Sequence, residues 1–158
     1  MIIEYNEKYD EDIKTLLVEL QKHIENIDKE KYNVLTTKYK EESFKESMKE
    51  VKKYNGKILL YEEKNQILGM IIGLVNNEEI DSYDFKAPKR GRITELIISN
   101  KIRSKGIGTI LLKEMEKHLK NIGCKAILIE VFAYNDKAIN FYQKNNYHTR
   151  NTEMIKEL

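Results

Sequence analysis

The stretch Arg103-Ser104-Lys105-Gly106-Ile107-Gly108-Thr109-Ile110-Leu111-Leu112 decides how the rest of the chain is read. An apolar, strand-like run at residues 92–99 precedes it, and an amphipathic, helix-like run follows it and ends near Gly123. A glycine-rich turn that opens a helix leaves several backbone N–H groups without intrahelical partners, at the positive end of the helix dipole. Such a turn is an anion site. Gly106 and Gly108 let the backbone come close to a bulky ligand, and Lys101, Arg103 and Lys105 favour a phosphate. The stretch therefore predicts a cradle for the pyrophosphate of a nucleotide-like cofactor.

Composition frames this turn. At 158 residues the chain is long enough for one domain with a core of its own, expected to span residues 1–158. Hydrophobic residues at 41% and charged residues at 34% are normal for a soluble globular protein. With no apolar run of spanning length and no signal-peptide pattern, a cytoplasmic protein is the expectation. A net charge of +2 is too near balance to argue for nucleic acid or a membrane as partner. The single Cys124 cannot form an internal disulfide, and it has no Cys or His close by to suggest a metal site. Charge is unevenly spread: residues 76–85 carry four acids and no base, and 86–92 carry four bases and no acid.

From the N-terminus, residues 2–5 read as a first strand. Asp10 then caps a helix whose Ile13, Leu16, Leu17, Leu20, Ile24 and Ile27 recur at steps of three and four. Residues 28–37 read as a connection. A second helix presents Phe44, Met48 and Val51 on one face and stops near Asn55-Gly56. Residues 57–61 and 67–75 predict a hairpin; Gly69 and Gly73 suggest a bulge, a close backbone approach, or small residues that relieve packing against a helix. A strand at 92–99, a helix at 106–122 and a strand at 126–132 form a right-handed crossover with two parallel strands. Asn135-Asp136 offers a cap for a short helix at 137–144, and 147–155 reads as a final strand after an Asn145-Asn146 turn. The order is β-α-α-β-β-β-α-β-α-β, a single α/β domain with a mixed sheet.

The glycine turn itself fits several ligands. A P-loop needs Gly-x-x-x-x-Gly-Lys-Ser/Thr, which does not occur. A dinucleotide fingerprint needs a third glycine where Leu111 stands, although Glu130 lies at about the distance of a ribose-binding acid. A purely structural turn is the remaining alternative. The residues resemble the GNAT family of N-acetyltransferases over about residues 92–150. That family's Gln/Arg-x-x-Gly-x-Gly/Ala block stands here as Arg103 to Gly108. Its second block, a strand followed by Asn and an aromatic pair, stands as residues 129–135 with Asn135, then Phe141, Tyr142 and Tyr147. Asn146 replaces the glycine many members carry before the last aromatic, and Asn tolerates left-handed backbone angles.

The resemblance implies a GNAT-like domain, a mixed central sheet with helices on both faces, in which acetyl-CoA lies where the strands 93–99 and 126–132 splay apart. It implies that turn amides at Arg103, Ser104, Lys105, Gly106, Ile107, Gly108 and Thr109 bind the pyrophosphate. Backbone groups of Leu96 and Ile98 would hold the pantetheine and the acetyl carbonyl, one N–H acting as an oxyanion-type stabiliser. Asn135 stands as a cofactor contact, with a plain helix cap as its bland reading. The implied reaction is direct attack of an amine on the thioester, with Tyr142 as general acid toward the coenzyme sulfur and as a cofactor contact. The alternative for Tyr142 is an amphipathic core tyrosine. A base must take the amine's proton; Glu95 is the first candidate, with a strand-face glutamate in solvent or in a salt bridge as its alternative, and Glu130 is the second. His148 lies outside both blocks, and Cys124 reads as a small core residue, which disfavours an acetyl-cysteine route. No metal is implied.

The acceptor is an amine on a small molecule or a peptide. Glu78, Glu79, Asp81 and Asp84 could attract a cationic one, or could form a solvated loop neutralised by the basic segment that follows. Two other readings compete: a regulatory module that binds acetyl-CoA without turnover, and a transferase for a longer acyl group. A homodimer is compatible with the sequence, although no exposed apolar stripe demands one.

Overall fold

A computed structural model describes residues 1–103 and 105–158. Strand β1 (Ile2–Glu4) leads through a short 3-10 turn into helix α1 (Asp10–Ile27), then α2 (Tyr39–Lys53), and strands β2 (Lys57–Glu63) and β3 (Gln66–Asn77). A two-stranded excursion, β4 (Ile80–Asp81) and β5 (Lys86–Ala87), precedes β6 (Arg90–Ile98). Helix α3 (Ile107–Asn121), strand β7 (Ala126–Ile129) and helix α4 (Asp136–Lys144) complete the order. The main sheet runs β1-β2-β3-β6-β7, antiparallel except for the β6–β7 pair. Among the described residues no helix is long and apolar enough to cross a membrane.

The two faces of the sheet carry separate cores. Leu59, Leu68, Ile71 and Ile93 pack under Ile107, Leu111, Met115 and Leu119 of α3. Ile58, Leu60, Met70, Ile72 and Ile97 pack under Ile13, Leu16 and Leu17 of α1. The helices follow from the step of three and four that puts these side chains on one stripe. Gly73 admits α3, since a Cβ there would stand 2.4 Å from the Met115 sulfur.

A bulge in β6 decides the site. Gly73 pairs with Ile93 and Ile72 with Glu95, so Thr94 is the extra residue. Side chains alternate along a strand, and one inserted residue reverses the phase. Ile93 therefore faces α3, whereas Glu95 and Ile97 face α1 and α2.

Three expectations are corrected. The final strand at 147–155 is absent: everything after Tyr147 is without regular structure and exposed, Met154 at 91%. The polar run from His148 to Glu153 lacks the alternation that a half-buried strand needs. The strand at 126–132 closes at Ile129, where its ladder with β6 ends opposite Ile93. Asp10 does not cap α1: it lies in the first turn and accepts from the Tyr5 hydroxyl at 2.7 Å, while Asn6 accepts from Lys8 N–H ahead of it.

Candidate active site

The parallel β6–β7 ladder joins residues 90–93 to 126–129 and stops there. Past it, β6 continues to Ile98 bonded to β3 alone. Ser99 N–H donates to the Leu68 carbonyl at 2.9 Å. An antiparallel ladder alternates its bonding direction, so the N–H and C=O of Glu95 and Ile97 turn toward β3. Those of Leu96 and Ile98 turn to the edge that β7 has left, the shared edge expected of them. The Arg103 guanidinium caps this edge: its Nε donates to the Ile98 carbonyl at 3.1 Å, and its Nη2 stands 3.4 Å from Glu19 Oε1. The same Glu19 oxygen accepts from Asn100 N–H at 2.6 Å, which ties the turn to α1.

The turn after β6 aims at the same gap. Gly106 is the N-cap of α3 with φ +75°, a left-handed conformation that glycine adopts without a Cβ penalty. A Cβ there would meet nothing within 4 Å, so the space in front of the turn is open. Ile110 N–H donates to the Gly106 carbonyl at 3.2 Å, which leaves the N–H groups of Ile107, Gly108 and Thr109 without intrahelical acceptors. Among the described residues no side chain caps them, and no acidic residue lies in the first turn. This combination fits a phosphate group. Lys105 is exposed beside it; Ser104 lies outside the described residues.

Glu95 and Tyr142 are linked through the charge of Glu95. Burial first, then the charge of Glu50 on α2, push the Glu95 carboxyl up to about 7. Burial first, then the charge of Glu95, push the Tyr142 phenol up to about 12. Tyr39, at the start of α2, is held up by burial and by Glu95, with Ser43 opposing. A carboxyl near 7 can take a proton at neutral pH, and a phenol near 12 keeps one to give. Tyr39 and Glu50 were not singled out from sequence. With Ser43 and Ser47 they form a half-buried polar stripe along α2, beside Phe44 and Met48, and that stripe was the available signal.

The other expected residues divide plainly. Asn135 Oδ1 accepts from Ala138 N–H at 3.2 Å, so the cap role is present. Glu130 stands 2.6 Å from Arg92 Nη2 with its side chain 88% exposed. His148 is exposed. Cys124 is buried in the α3 core, and burial pushes its thiol up. The acidic segment folds as a hairpin with partners of its own, Asp81 to Lys86 at 2.9 Å and Glu78 to Lys89 at 3.2 Å. It joins β6 at Arg90, the end away from the turn. A cavity of about 470 Å³ lies between β1, β2 and α3, lined by Glu4, Lys57, Ile110 and His118, and includes none of these residues. A clasp was also missed from sequence: the Tyr134 hydroxyl donates to Glu30 Oε1 at 2.6 Å, joining the α1–α2 connection to the segment after β7.

A family model described as the acetyltransferase (GNAT) family matches residues 21–147. The chain belongs to the GNAT acetyltransferase family. The resemblance expected from Arg103 to Gly108 and from Asn135 to Tyr147 therefore holds, and the enzyme class expected of the sequence is the one this family carries. The chain is 32% identical over 56 residues to the uncharacterized N-acetyltransferase YdgE of Bacillus subtilis (strain 168), covering 35% of this chain and 36% of that protein. It spans well under half the length of the curated relatives it matches. The fold is shared with the tetramutant of BH1408 from Bacillus halodurans, at TM-score 0.87 and 16% identity over 100% of this chain and 99% of that one. It is shared also with the aminoglycoside N-acetyltransferase AAC(6')-Iy, solved in complex with CoA, at TM-score 0.69 and 9% identity over 100% and 98%.

Proposed function

We propose that this GNAT protein transfers the acetyl group of acetyl-CoA directly to a primary amine of a small molecule or peptide, within a ternary complex. One observation carries the reading. The open edge of β6 and the uncapped start of α3 border one gap, and the charge of Glu95 holds the Tyr142 phenol up beside it. The coenzyme held by AAC(6')-Iy, a structural neighbour, agrees in kind.

In this reading the N–H groups of Ile107, Gly108 and Thr109, with the amides from Arg103 to Gly106, hold the pyrophosphate, and Asn135 borders the coenzyme. Leu96 and Ile98 hold the pantetheine, and an N–H of that pair stabilises the oxygen of the acetyl carbonyl as its charge grows. Glu95 takes the proton from the amine nitrogen as the nitrogen–carbon bond forms. Tyr142 gives its proton to the sulfur as the carbon–sulfur bond breaks. Glu95 suits the base better than Glu130, which spends its charge on Arg92 in solvent.

The test is thiol release from acetyl-CoA across polyamines, amino acids, aminoglycosides and peptides, with products identified by mass spectrometry. Amine-dependent release and an acetylated product are expected. Stabilisation by CoA without turnover on any amine would instead describe a binding module.

A further inference from the structure

We propose that Glu116 and Tyr147 are positioning residues for Tyr142: by accepting from the Tyr147 hydroxyl, the Glu116 carboxylate holds the ring against which Tyr142 leans. The inference rests on the reading of Tyr142 as the acid. Helix α4, which carries Tyr142, has nine residues and none fully buried. So short a helix takes its position from what it packs against.

Helix α4 and the turn that follows it meet α3 at two points. Phe141 lies against the first turn of α3, where a Cβ on Gly108 would come within 3.4 Å of its ring. Farther along α3, about 12 Å away at about 1.5 Å per residue, Glu116 Oε1 accepts from the Tyr147 hydroxyl at 2.8 Å. Tyr142 sits between these anchors. Its ring centroid is 5.1 Å from that of Phe141 and 5.7 Å from that of Tyr147, both edge to face, the geometry aromatic pairs prefer.

The backbone closes the unit. Tyr147 N–H donates to the Tyr142 carbonyl at 3.0 Å and Asn145 Nδ2 to the Phe141 carbonyl at 2.9 Å, with Asn146 at φ +67° making the reversal. Burial first, and then Glu116, hold the Tyr147 phenol up, so it remains the donor across the working pH range. Neither residue reaches the reacting atoms; each acts through Tyr142. Since α3 also carries the phosphate-facing turn, the Glu116–Tyr147 bond keeps the acid in register with the donor side.

Two readouts test this on the full chain: thiol release from acetyl-CoA with the most productive amine of the panel, and ¹³Cζ-tyrosine NMR of the CoA-bound protein. Tyr147→Phe and Glu116→Ala are expected to lower kcat about 10-fold, short of the roughly 100-fold that a 1 Å misplacement can cost, and to leave KM for acetyl-CoA within about twofold. Glu116→Gln, whose amide oxygen still accepts, should restore most of the rate. Tyr147→Phe on a Tyr142→Phe background should add no further loss, and the Tyr142 resonance should shift in both damaging variants. An unchanged Tyr142 resonance in Tyr147→Phe, or a loss that adds in full to that of Tyr142→Phe, would overturn the inference. If Tyr142→Phe itself turns over normally, the acid reading falls, and the NMR arm still decides whether Glu116 and Tyr147 position that ring.

Discussion

Residues 90–93 of β6 are bonded to β3 on one side and β7 on the other, whereas residues 95–98 are bonded to β3 alone. Both halves belong to one strand, rich in Ile and separated by a single bulged threonine. In the first half Ile93 is 3% exposed and packs in the α3 core. In the second, Glu95 points to the opposite face and the Leu96 and Ile98 backbone turns to an open edge. A strand edge is usually a liability, since its polar groups seek partners. Here the missing ladder lies beside a helix start that also lacks caps, and in the proposed function the two incomplete hydrogen-bonding surfaces serve one ligand. The paired half contributes stability, and in that proposal the unpaired half contributes chemistry.

The comparison breaks most severely at the turn that serves the open half. Gly106→Glu sets an anionic side chain into the open space at φ +75°; CoA affinity by calorimetry should fall more than about 100-fold, with about 1 kcal/mol of strain in the fold. Glu95→Gln comes next. It should cost about 100-fold in kcat and remove the rise of kcat/KM through pH 7 that a base near 7 imposes. The stability sign runs the other way from the rate. The folded carboxyl lies above its ordinary 4.5, so the folded state binds the extra proton, and stability is lost as pH rises through about 7. Glu95→Gln should therefore melt about 5 °C higher than the wild type at pH 8 and match it near pH 4.

Tyr142→Phe should lower kcat by about 100-fold with KM for acetyl-CoA within about twofold. Since the phenol titrates near 12, no descending limb from Tyr142 should enter the pH profile below about pH 10. Ile93→Ala attacks the paired half instead: a loss of about 3 kcal/mol by urea unfolding, with the rate per folded molecule preserved. The smallest effect belongs to Glu130→Gln. Its exposed pair with Arg92 should be worth less than about 1 kcal/mol, and turnover should stay within about twofold. A large rate loss there would move the base from Glu95 to Glu130.

Most helices and strands were legible because their apolar residues keep a helical or alternating period, from Ile13 and Leu16 in α1 to Ile107 and Leu111 in α3. The turn was legible because Gly106 and Gly108 have few other uses at a strand-to-helix junction. The bulge was not: Thr94 is as good a strand residue as its neighbours, and only pairing with β3 reveals it as the extra one. The early end of β7 was hidden for a related reason. Val131 and Phe132 have strand-forming side chains, but a strand needs a partner, and the ladder with β6 has ended. Neutralisation of the acidic segment by the basic one was legible, and Lys86 and Lys89 do pair with Asp81 and Glu78; the short β4–β5 hairpin that sets those contacts was not. The same limit applies to Tyr39 and Glu50, which meet Glu95 only through tertiary packing.

Cys124 has an experimental consequence. It is the chain's one cysteine, 5% exposed, and burial holds its thiol above the ordinary range. Thiolate, not thiol, reacts with aromatic disulfide dyes, so the native protein should stay silent in such an assay. Every absorbance change would then report liberated coenzyme, and a slow protein-derived signal would double as a clock for unfolding.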